Sequence, residues 1–201
     1  MIVDITDKKA DELTFKEKII INVYEALMSL VGAAIVILLM YTFCVKSVAV
    51  DGTSMVPTLN HGDRLVITAF CIEPEQGDII VSTQPNDFGN SIIKRVIATE
   101  NQTVDINFST GDVFVDGELL NEPYINNRTI NSQGVQFPLI VPENHIFVMG
   151  DNRQGSTDSR SNMVGFIREE YIFGVAKLKI YNFDKENKEF KFYKPSEWKV
   201  K

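Results

Sequence analysis

Cysteine is almost missing from this chain, with Cys44 and Cys71 the only two in 201 residues. Two cysteines cannot staple a fold together, so the chain must rest on an apolar core. The pair reads as buried free thiols, with a single bridge as the alternative. Histidine is as scarce, at two, and no CxxC, HExxH or His/Cys/carboxylate cluster at ligand spacing occurs. Neither a metal nor a cofactor is therefore expected. Positive charge is also in short supply: the formal net charge is −7, which gives no support for nucleic acid as a partner, since such binders carry a basic footprint. A composition 44% hydrophobic and 23% charged is ordinary for a globular protein and excludes wholesale disorder. Beyond residue 45 convincing helical periodicity is missing, apart from a short turn around 168–171, and there is no repeat or low-complexity tract.

What the chain does have is one long apolar run. Residues 1–18 are polar, with Lys8, Lys9, Lys16 and Lys18 set among Asp4, Asp7, Asp11, Glu12 and Glu17. From Ile19 the sequence turns apolar, and residues 26–45 carry no charge. As a helix that stretch spans roughly 30 Å, the thickness of bilayer hydrocarbon. It has no polar face, which argues against a buried core helix. It is longer than the about 7–15 apolar residues of a cleaved signal, and no small-x-small site follows it. Residues 1–18 thus read as a cytoplasmic tail and 19–45 as a retained single-span anchor in the lipid bilayer. Four lysines precede the span, against Lys46 and Arg64 in the comparable stretch after it. That asymmetry favours the N-terminus inside and residues 46–201 outside.

Residues 46–201 are enough for one domain with a single core. Short β-type runs at 64–71, 78–83, 91–98, 103–108, 112–120, 145–149 and 175–183 are separated by turn signals. Asp116-Gly117 between apolar residues is a strong hairpin signal, because that pair suits a type I′ turn. The alternating Glu189-Phe190-Lys191-Phe192-Tyr193-Lys194 reads as a final strand; with Trp198 and the nearby lysines it also suits contact with anionic lipid. The expected fold is mostly β: one N-terminal transmembrane helix followed by an extracytoplasmic all-β domain.

Three segments carry candidate chemistry. Ser54 lies in a turn with Gly52 and Pro57, in Val50-Asp51-Gly52-Thr53-Ser54-Met55-Val56-Pro57-Thr58-Leu59. A serine hydroxyl needs a base within hydrogen-bond reach to act as a nucleophile. His61 looks like part of a turn and His145 precedes an apolar strand, and neither has the spaced partners of a Ser–His–Asp triad. Lysine serves instead where desolvation lowers its pKa. Lys94, inside Ser91-Ile92-Ile93-Lys94-Arg95-Val96-Ile97, fits that need; the alternative is an edge-strand lysine facing solvent. The third segment is Gly150-Asp151-Asn152 followed by Ser156-Thr157-Asp158-Ser159-Arg160.

Taken together, in this order and spacing, the three segments resemble the serine–lysine signature of the type I signal peptidases. Gly62-Asp63-Arg64, Gln76-Gly77-Asp78 and Asn121-Glu122-Pro123-Tyr124 extend the resemblance over nearly all of the chain after the anchor. It implies a serine endopeptidase of the plasma membrane that removes signal peptides from exported preproteins with small residues at −1 and −3, the secretion translocon being a candidate partner. It implies Ser54 as nucleophile, Lys94 as base and Ser156 as the group that orients the Lys94 amine. Asp158 and Arg160 would form a structural ion pair. The backbone N–H of Ser54 would be one oxyanion donor. A serine that supplies the second donor in some members is replaced here by Gly52, so a backbone N–H or water is left for that part. Val48, Val50, Met55, Ile92 and Ile93 would line a shallow cleft for an extended peptide.

Two departures from the family pattern, 98–103 in place of a glycine-proline-glycine-aspartate turn and Asn144 in place of a glycine, suggest a divergent member with a narrow substrate set. Three rival readings stand beside this one. A self-cleaving Ser–Lys repressor would need a DNA-binding head where the apolar run lies. An inactive relative acting as an assembly or binding protein would not need Ser54, Lys94 and Ser156 together. A peptidase dedicated to one precursor class keeps the chemistry and changes the substrate.

Overall fold

The structure, a computed structural model, describes residues 14–69, 72–85, 89, 91–184 and 189–193. Cys71, the tail up to residue 13, Lys194 and Trp198 lie outside the described residues, as does the side chain of Cys44. The chain divides into two compact units between Phe43 and Cys44.

The first unit is a single helix, α1 (Phe15–Cys44). It starts earlier than the apolar run because Thr14-Phe15-Lys16-Glu17 makes a capping box. The Thr14 N–H donates to the Glu17 carboxylate at 2.8 Å and the Glu17 N–H to Thr14 Oγ1 at 3.4 Å, satisfying two of the free donors at the helix start. Its large apolar side chains, Ile20, Leu30 and Ile37 among them, are exposed. Among the described residues this is the one helix long and apolar enough to cross a membrane.

Among its described residues the second unit has twelve strands: β1 (Val45–Ala49), β2 (Asp63–Thr68), β3 (Ile79–Ser82), β4 (Ile92–Ala98), β5 (Thr103–Asn107), β6 (Asp112–Val115), β7 (Glu118–Leu119), β8 (Leu139–Ile140), β9 (His145–Met149), β10 (Ile167–Arg168), β11 (Ile172–Asp184) and β12 (Glu189–Phe192). The larger sheet runs β1-β2-β11-β3-β4-β9-β10, with β12 paired to β11; the smaller runs β7-β6-β5-β8. The mostly-β expectation therefore holds, and so does the final strand. The hairpin at Asp116-Gly117 forms with φ of 53° and 82°, the positive values that a type I′ turn requires. β8 and β10 were not legible in the sequence, because two residues are too few to show an alternation. Asn144 has φ of 57°, a left-handed position in which asparagine is the usual substitute for glycine.

The core that matters for function lies under the β1–β2 connection. Met55 and Leu59 from that connection pack with Leu65 and Ile67 of β2, Ile79 and Val81 of β3 and Ala176 of β11. Burying side chains of this size contributes about 1.5–3 kcal/mol each, which draws the connection down onto the sheet. β3 is buried along its whole length because its two faces serve different clusters: Ile79 and Val81 face this core, and Ile80 faces one with Val96, Val148 and Val175.

Candidate active site

The loop between β1 and β2 carries Ser54 and is closed at its neck. The Val50 N–H donates to the Asp63 carbonyl at 2.8 Å and the Gly62 N–H to the Val50 carbonyl at 2.9 Å. From the other side, the Asn152 N–H donates to the Ser54 carbonyl at 3.0 Å, and the Asn152 amide donates to the Thr53 carbonyl at 3.2 Å. The Thr58 hydroxyl donates to the Asp151 carboxylate, and Lys179 Nζ to the Thr58 carbonyl at 3.3 Å. Gly150 is needed at the contact between these segments. A Cβ there would come within 2.3 Å of Ser156 Oγ and 2.5 Å of the Ser54 carbonyl oxygen, distances that no side chain tolerates.

Lys94 reaches this loop from β4. That strand lies between β3 and β9 rather than at an edge, and Lys94 is 4% exposed, so the solvent-facing alternative is excluded. Its Nζ stands 2.8 Å from Ser54 Oγ and donates to the Ile93 carbonyl at 3.2 Å. Burial lowers the amine's pKa to about 8; the negative charges of Asp158 and Asp151 offset part of that, and Arg160 pushes it further down. Desolvation wins because no carboxylate sits within ion-pair distance of the amine among the described residues.

The Gly150–Arg160 segment is placed beside the pair, with one difference from expectation. Asp158 and Arg160 are fully buried and joined by two 2.8 Å contacts; Asp158 also accepts the Gly150 N–H at 2.9 Å. Ser156 is buried, but its hydroxyl has no hydrogen-bond partner, so the expected bond to the Lys94 amine is not made in this state. Val48, Val50, Met55, Ile92 and Ile93 line one cleft of about 150 Å³ with Ser54 and Lys94, and Ala49, Asp51, Gly52, Val81 and Ser91 complete its walls. No described residue accepts the Ser54 N–H.

Several residues in this region carry no role in the sequence reading. Arg95 and Asp151, both fully buried, make a bidentate pair at 2.8 and 2.7 Å. The same guanidinium donates to the Gly77 carbonyl at 2.7 Å and lies 3.9 Å from the Tyr124 ring centre. Burial first, then the charge of Glu122, pushes the Tyr124 phenol upward, so the ring stays neutral under the guanidinium. Arg153 pairs with Glu122 and also donates to the Thr129 hydroxyl at 2.6 Å. The available signal was a charged residue inside an apolar run or in a loop rich in charge, which marks a buried group without naming its partner.

Comparison with known proteins places the chain among the serine peptidases, a class of hydrolases. The model of the family described as signal peptidase, peptidase S26, matches residues 23–181. The chain is 37% identical to a probable signal peptidase I-1 of Synechocystis, over 76% of this chain and 79% of that one. It is 31% identical to a signal peptidase I of Bacillus licheniformis, over 83% and 93%. A solved signal peptidase I of Enterococcus faecalis V583 aligns with a TM-score of 0.43 and 29% identity, over 53% of this chain and 98% of that one. The chain belongs to the signal peptidase family, peptidase S26.

Proposed function

We propose that this chain removes signal peptides from exported preproteins through a dyad of Ser54 and Lys94. The observation that carries this reading is the 2.8 Å approach of a buried amine to Ser54 Oγ. With the amine neutral, its lone pair takes the hydroxyl proton as Oγ attacks the scissile carbonyl. The oxyanion that forms is met by the Ser54 N–H. Collapse of this intermediate breaks the C–N bond, and the Lys94 ammonium returns its proton to the leaving amine. The acyl-enzyme on Ser54 is then hydrolysed by a water that Lys94 deprotonates, which restores both groups.

The cleft supports an extended substrate. β1 is an edge strand, and β4 pairs with β9 only from Arg95 onward, so backbone groups flank the cleft on both sides for strand addition. A volume of about 150 Å³ favours small side chains at the positions next to the cut. Helix α1 anchors the enzyme in the plasma membrane with the N-terminus cytoplasmic, following the lysine asymmetry. That anchor holds the site near membrane-embedded substrate and raises the effective concentration.

Cleavage of a preprotein with an Ala-x-Ala site, measured in detergent across pH 6–10, tests this. Wild type is expected to cut at that site. Ser54→Ala and Lys94→Ala should each lose about 10³-fold or more in kcat, because the two groups act as a unit. Only the neutral amine accepts a proton, so kcat/KM should rise with pH through about 8. Full activity in either variant would sink the assignment.

A further inference from the structure

Much of the Ser54 loop is held by backbone or buried side chains. Val50 and Gly62 close the neck, Asn152 holds Thr53 and Ser54, and Asp151 and Lys179 hold Thr58. Gly52, two residues before the proposed nucleophile, lacks such a hold. Its φ is +99° and a Cβ there would touch nothing within 4 Å, so the backbone is free to turn at a position glycine makes permissive. The Gly52 N–H donates to one group, Nδ1 of His61, at 3.3 Å. The backbone that carries the half-exposed ring is anchored: the His61 carbonyl accepts from the Asn182 amide of β11 at 3.1 Å, and Gly62, the next residue, is tied to Val50. Accepting the Gly52 N–H requires Nδ1 unprotonated and the ring hydrogen on Nε2; the Asp51 carboxylate, 3.1 Å from the same Nδ1, competes for that atom in the other tautomer.

We propose that His61 is a positioning residue for the oxyanion site. Its Nδ1 fixes the Gly52 peptide, and through it the direction of the Ser54 N–H that meets the developing charge. Gly52 has no side chain to supply a donor, and its own N–H is engaged by His61. The preorganisation of the remaining donor therefore depends on the turn being held still. This inference rests on the Ser54 reading given above.

The test compares kcat, KM and melting temperature for wild type, His61→Phe, His61→Asn and Ser54→Ala on the same preprotein. Phenylalanine keeps the ring and removes the acceptor; asparagine returns an acceptor near the place of Nδ1. Removing a whole oxyanion donor costs about 10²–10³ in kcat, so loosening one should cost less, about tenfold. We expect His61→Phe to lose about tenfold in kcat with KM and melting temperature near wild type, and His61→Asn to regain most of that loss. Wild-type kcat in His61→Phe overturns the proposal, as does an equal kcat loss in both His61 variants. A loss confined to KM, or one tracking a fall in melting temperature, overturns it too. If Ser54→Ala is fully active, the nucleophile assignment fails and the His61 proposal falls with it. Inactive Ser54→Ala beside fully active His61→Phe removes the His61 proposal alone.

Discussion

Two lysines are buried against the Ser54 loop, and their surroundings differ in one respect. Lys94, 4% exposed, faces Ser54 Oγ and a carbonyl. Lys179, 8% exposed, sits 3.3 Å from the Asp63 carboxylate and 3.9 Å from the centre of the Tyr193 ring. Asp63 is itself held by the Asn182 amide at 2.7 Å and the Tyr193 hydroxyl at 3.2 Å. Burial is therefore shared, and the difference is the partner. A buried ammonium with a carboxylate beside it is a strut, while one facing a hydroxyl is disposed to give up its proton. Family membership does not by itself separate the two; the local charges do.

The largest expected effect comes from breaking the strut. Lys179→Met leaves the Asp63 carboxylate buried without its cation, which costs about 3–5 kcal/mol. Thermal or urea unfolding should show that loss, and Lys179→Met combined with Asp63→Asn should recover part of it. An unchanged melting temperature in the single variant would erase the distinction between the two lysines.

Lys94 should behave in the opposite way. Its folded-state pKa is about 8 against 10.5 for the free group, so between those values the unfolded chain binds more protons than the folded one. Wild-type stability should rise with pH across that window, and below it the cost of burying the charge is present in full. Lys94→Met should therefore melt higher than wild type at pH 7, with the gap closing towards pH 10. Equal melting curves at pH 7 would mean the amine is not desolvated.

The smallest effect concerns Ser156. Its hydroxyl has no partner in this state, so Ser156→Ala should leave the melting temperature unchanged. Hydrogen bonds of this kind often tighten only when substrate is bound, and kcat should fall about tenfold. A full-rate Ser156→Ala enzyme would show that the hydroxyl plays no part in orienting the amine.

Much of this was legible because it is local. The apolar run, the Asp116-Gly117 turn, the strand at 189–192 and the segments around Ser54 and Lys94 each announce themselves within about ten residues. The parts that were not legible depend on distant pairing. β11 inserts between β2 and β3, and no pattern in its own sequence says so. A strict alternation also puts Lys177 and Lys179 on one face. The structure exposes the first and buries the second, because β11 shifts register against β2 between Ala176 and Leu178 and again between Lys179 and Tyr181. A bulge of this kind reverses the facing of the residues beyond it, and nothing in the lysines themselves marks it. The Arg95–Asp151 pair was hidden for the same reason, its partners lying 56 residues apart.

The order in which the chain is made gives these distant contacts a further meaning. Ser54 and Lys94 are both synthesised early, but Asp151, which holds Thr58 from 93 residues away, comes late. β11, which joins β2 to β3, comes later still. A nascent chain therefore carries both members of the proposed dyad well before it carries the parts that aim one at the other. Contacts of such long sequence separation also form slowly. On the proposed mechanism, latency during synthesis follows from the topology itself: a chain cut short before β11 would carry Ser54 and Lys94 without the strand that joins β2 to β3.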